Sequence, residues 1–90
     1  MHEASLMASL MRGIDSIAKA EGARRIVGVS VWLGALSHMS AEHFAEHFER
    51  AAAGTIAEGA SLDVCVSDDL SHANAQDLVL KSVAVESQPP

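Results

Sequence analysis

The hydrophobic period of this chain changes from helical to extended at Gly22. Before it, Leu6, Leu10, Ile14 and Ile17 recur at spacings of four, four and three and form one apolar stripe. Met7, Met11 and Ala18 widen that stripe, while Arg12, Asp15, Lys19 and Glu21 fall mostly on the other side. The pattern predicts a helix over 4–21, with Gly22 where a helix stop is expected. Gly13 lies inside it at a cost of roughly 1 kcal/mol relative to Ala. After Gly22, Val27, Val29, Val31 and Leu33 alternate with Gly28, Ser30 and Trp32, which predicts a strand over 25–33. A helix that feeds directly into a strand points to an α+β fold.

The rest of the chain extends the layout. Gly34 and Ser37 mark a turn, and Ser40 is a good N-cap for a second helix over about 41–53, with Phe44, Phe48, Ala51 and Ala52 as its stripe. Gly54 stops that helix. After a Glu58-Gly59 turn, a second strand runs from Ser61 to Ser67 with Leu62, Val64 and Val66 on one face. Ser67 to Gln76 is polar and aperiodic, hence a loop. Leu78 to Val85 is a third strand whose apolar positions, Leu78, Leu80, Val83 and Val85, change phase midway, so a bulge is expected near Lys81-Ser82. Three strands cannot close a barrel, so both helices should cover one face of an open sheet. The expected core includes Leu6, Leu10, Ile14, Val29, Val31, Phe44, Phe48, Leu62 and Val64. There are 90 residues and no internal repeat, which indicates a single domain over 1–90 with 87–90 as a frayed tail.

Composition narrows the function. A net charge of −6 argues against nucleic acid and against an anionic membrane surface, and no apolar run reaches the ~20 residues of a membrane span. With a single cysteine, Cys65, no internal disulfide can form, which fits a reducing compartment; a cytoplasmic protein is expected. No glycine-rich phosphate loop or nucleophile elbow is present, so an enzyme is not expected.

The chain opens Met1-His2-Glu3. A free Met1 amine, the His2 amide nitrogen and the His2 imidazole can chelate one ion in fused rings, and the Glu3 carboxylate offers a fourth ligand. Nitrogen-rich tetragonal sets of this kind suit Ni(II) or Cu(II). His38, in the turn before the second helix, is a further candidate ligand. His43 and His47 lie four apart on one helix face, spaced for a divalent-metal clamp or simply a solvated flank among Glu42, Glu46 and Glu49. His72, with Asp68 and Asp69 near it, is a weaker adventitious cluster. Cys65 is out of phase with Leu62, Val64 and Val66, so it faces solvent or fills a second layer. Trp32 is out of phase with its valines and belongs on the sheet's open face, as a partner contact or packed under a loop.

Several runs carry a family resemblance: Met1-His2-Glu3 with Ser5-Leu6 and Ser9-Leu10; Gly34 with Leu36-Ser37; Gly54-Thr55, Ala57-Glu58-Gly59-Ala60 and Leu62; and Leu80-Lys81-Ser82-Val83 with Val85-Glu86. Together they resemble the HypA/HybF nickel-insertion family. The resemblance implies an α+β nickel domain, an amino-terminal nickel site at Met1, His2 and Glu3, and a role in loading Ni(II) into a [NiFe] hydrogenase or, in some bacteria, urease. It further implies a maturation GTPase or nickel-enzyme precursor as partner. A metal-free adaptor or assembly factor on the same fold is the alternative. The family's zinc domain, held by two Cys-x-x-Cys pairs between the last two strands, has no counterpart here: 67–77 is expected as a short loop in its place, with no structural zinc. Where the family often has an acidic residue between the glycine and leucine, this chain has Ala35. A homodimer through the open face is also expected.

Overall fold

A computed structural model describes residues 3–87. Helix α1 spans Glu3–Glu21, strand β1 Ala23–Leu33, helix α2 Ala41–Ala52, strand β2 Ser61–Val66 and strand β3 Leu78–Ser87. The three strands form one mixed sheet in the order β2-β1-β3, with β1 parallel to β2 and antiparallel to β3. A parallel neighbour needs a crossover connection, and α2 supplies it.

Gly22, at φ 62°, reverses the chain between α1 and β1 in a single residue. Because of that tight reversal α1 runs antiparallel to β1. The start of α1 therefore lies where β1 ends: Leu6 and Leu10 share a groove with Leu78, and Leu78 pairs with Leu33. The turn after β1, the start of α2 and the 67–77 connection emerge at this same end.

Both helices pack on one sheet face, as the hydrophobic pattern requires. Met7, Leu10, Ile14 and Ala18 of α1 and Phe44, Phe48 and Ala52 of α2 close over Ile26, Val29, Val31 and Leu33 of β1. Phe44 and Phe48 stack with centroids 6.2 Å apart. Leu6, Leu62 and Val64, expected in the core, are only partly buried and pack on its margin. Ile17 is a correction: it is exposed, and Ala18 takes its place. The core face of α1 follows Met7, Leu10, Ile14 and Ala18, whose spacings keep closer to 3.6 residues per turn.

β1 is longer than the alternation indicates, and its phase breaks once. Ile26 is 0% exposed and Val27 is 42% exposed, the reverse of the sequence reading. The cause is a register shift: Ile26 opposes Val85 and Gly28 opposes Ala84, so Val27 is an extra, bulged residue. The bulge expected in β3 is present, since Ser30 opposes Ser82 and Val31 opposes Leu80, leaving Lys81 unpaired. Ser87, expected to begin the tail, pairs with Ala23 as the last residue of β3.

α2 begins as expected. The Ser40 Oγ accepts a hydrogen bond from the His43 N–H at 3.1 Å, capping the first turn. After α2, the Thr55 hydroxyl donates to the Ala52 carbonyl and accepts from the Ala57 N–H, which seats Ala57 in the core at the entrance to β2. The run Gly54-Thr55 to Ala60 is thus a structural connector.

Candidate metal centre

Met1 and His2, the two residues expected to hold the ion, lie outside the described residues. Glu3 is the first residue of α1. The antiparallel path of α1 and β1 sets that helix start at the end of the sheet that also carries His38.

His38 is exposed and has φ 62°, the left-handed region that side chains other than glycine rarely adopt. That conformation turns the chain so that the next residue, Met39, enters the core at 6% exposure and Ser40 caps α2. His38 is thereby held out toward solvent between two anchored neighbours.

The turn bearing His38 is fixed from behind by the 67–77 connection. The Gly34 N–H donates to the Asp77 carbonyl at 2.9 Å, and the Leu36 N–H donates to the Ala75 carbonyl at 2.6 Å. Ala75 is buried, an anchor that a small residue in a polar stretch does not announce. Gly34 is needed for this contact: a Cβ there would collide with the Ala75 carbonyl and sit 2.6 Å from the Asn74 oxygen. The 67–77 segment is thus a packed series of turns rather than slack.

The remaining candidates are scattered. The His72 ring lies against Trp32 with centroids 4.8 Å apart, and its Nδ1 accepts the Asn74 N–H at 2.9 Å. The Asp69 carboxylate accepts from the backbone and hydroxyl of Ser71, so it closes a local turn instead of joining His72. Cys65 is exposed, opposite Trp32 on the open face. Trp32 is half-buried there, with Val79 on its other side and the loop's His72 covering part of it, so it packs under the loop. His43 and His47 pair on α2 with centroids 4.5 Å apart. Among the described residues, no group of three or more His, Cys, Asp or Glu side chains converges as a metal cage. No described helix is long and apolar enough to cross a membrane.

A sequence profile described as "Hydrogenase/urease nickel incorporation, metallochaperone, hypA" matches residues 1–72. The hydrogenase maturation factor HypA of Chlorobium limicola is 42% identical over 64 residues, 71% of this chain and 55% of that protein. The HypA of Thermococcus gammatolerans is 39% identical over 62 residues, 69% of this chain and 45% of that protein. This chain thus spans about half the length of the curated relatives it matches. In structure it resembles the Ni metallochaperone HypA from Helicobacter pylori, with a TM-score of 0.79 and 22% identity over 98% of this chain and 100% of that one.

Proposed function

We propose, from the premise that this chain belongs to the HypA family, that it carries Ni(II) as cargo for the maturation of a nickel enzyme, a [NiFe] hydrogenase. The observation that carries this reading is where the family match lies. It begins at residue 1, so it includes the Met1-His2-Glu3 terminus that offers the chelate.

The Met1 amine, the His2 amide nitrogen and the His2 imidazole supply three nitrogens. Glu3 or His38 completes a four-coordinate set. Fused chelate rings hold the nitrogens in one plane, which suits a square-planar d⁸ ion and disfavours tetrahedral Zn(II). All three nitrogens shed protons on binding, so affinity rises from mildly acidic to mildly alkaline pH. A site at a chain terminus can also release its ion to an acceptor. No step of this role needs an enzyme: the protein binds, holds and delivers.

The 67–77 connection stands in place of the family's zinc domain. A structural zinc needs about four Cys or His ligands, and Cys65 is the sole cysteine of the chain. The residues present do not fit a structural zinc. A maturation GTPase or the enzyme precursor is the partner, with Trp32 as a contact on the open face that could equally serve a homodimer. The setting is cytoplasmic.

Untagged protein should bind one Ni(II) per chain at this terminus. His2→Ala, or one residue added ahead of Met1, should remove that site with an unchanged circular dichroism spectrum. If both changes leave nickel uptake as in wild type, the site lies elsewhere, with His43 and His47 the next candidate; if wild type binds no nickel, the metal-free adaptor takes its place.

A further inference from the structure

We propose that His43 and His47 form a divalent-metal site on α2 that takes an ion favouring nitrogen ligands, such as Cu(II) or Ni(II). The two side chains stand one turn apart on the same face of α2, His43 exposed and His47 half-buried. Their ring centroids are 4.5 Å apart and the planes are inclined at 48°. A metal–nitrogen bond of about 2.0–2.1 Å, plus roughly 1.1 Å from ring nitrogen to ring centre, sets each centroid about 3.2 Å from a shared ion, so two imidazoles at a right angle would have centroids about 4.5 Å apart. A separation of 4.5 Å puts both rings within reach of one ion.

The surroundings favour a cation as well. α2 carries Glu42, Glu46 and Glu49 against the lone Arg50, and Glu46 lies three residues from His43 on the same flank. The helix is anchored underneath by Phe44 and Phe48 and capped by Ser40, so the two histidines sit on a rigid frame with little ordering left to undergo on binding. Cu(II) should bind more tightly than Ni(II), following the general order for nitrogen ligands.

The test uses the full untagged chain carrying His2→Ala, which takes the amino terminus out of play. Cu(II) and Ni(II) are titrated separately, with melting temperature and Cu(II) electron paramagnetic resonance as readouts. The His2→Ala protein should bind one Cu(II) with two imidazole nitrogens in its superhyperfine pattern. The melting temperature should rise with metal, because only the folded helix presents the pair. Adding His43→Ala should weaken Cu(II) binding at least tenfold and abolish the rise; adding His47→Gln should do the same. The proposal is overturned if the His2→Ala protein binds neither ion, or if His43→Ala leaves affinity and spectrum unchanged. Wild type that loses all its nickel binding on His43→Ala alone would keep this site and sink the amino-terminal one.

Discussion

Gly34→Ala is the most demanding test of how the 67–77 connection is held. The added Cβ would overlap the Ala75 carbonyl, a backbone group that no rotamer change can move aside. Gly34 has a negative φ, so alanine meets no backbone penalty of its own there. The loop must therefore lift. Doing so breaks the Gly34–Asp77 and Leu36–Ala75 hydrogen bonds, worth about 1 kcal/mol each. It also exposes the buried Ala75 methyl, at about 0.8 kcal/mol. Against this, alanine restricts the unfolded chain and returns about 0.4–1 kcal/mol. The net loss is about 2 kcal/mol, which in a domain of this size lowers the melting temperature by roughly 8–16 °C. Urea unfolding followed by Trp32 fluorescence reads both consequences. The midpoint should fall, and the native emission should change as the His72 ring leaves the indole. A variant within 0.5 kcal/mol of wild type and with unaltered native fluorescence would refute the docking of this loop on Gly34.

The bulge in β1 is tested by neighbours: Ile26→Ala should cost about 2–5 kcal/mol in chemical denaturation and Val27→Ala under about 1 kcal/mol, and equal costs would show that the register has been misplaced. Because no group of three or more His, Cys, Asp or Glu side chains converges among the described residues, excess chelator should leave the melting temperature of purified protein unchanged, and one tightly held zinc per chain would contradict this. Trp32→Glu should weaken self-association or partner capture in analytical ultracentrifugation while the far-ultraviolet dichroism stays native; unchanged association would remove Trp32 from the interface.

The order of elements was legible because three features each have a sequence signature: the stripe of α1, the Ser40 cap, and the phase change at Lys81. The exchange of Ile26 and Val27 was not legible. Unbroken alternation through Val29 and Val31 puts Val27 on the core face, and only pairing with Val85 and Ala84 reveals the extra residue that gives that place to Ile26. Ala75 was missed because one small residue in a polar stretch has no periodic partner. The conformation of His38 was missed because it follows from the two anchors on either side, Leu36 to Ala75 and Met39 in the core, rather than from its own identity. Among the candidate ligands, the sequence paired His43 with His47 by their spacing alone, and the structure sets their rings side by side. It also suggested His72 with Asp69, which local turn bonding separates.

The unpaired Lys81 governs how two copies of this molecule can meet. β3 is an outer strand with a long free margin, the kind of surface along which identical chains add to one another without limit. An exposed lysine at an irregularity in the middle of that margin breaks the hydrogen-bonding rhythm and sets a charge where an incoming strand would lie. The opposite outer strand, β2, is only six residues long. Growth by strand addition is discouraged on both sides of the sheet.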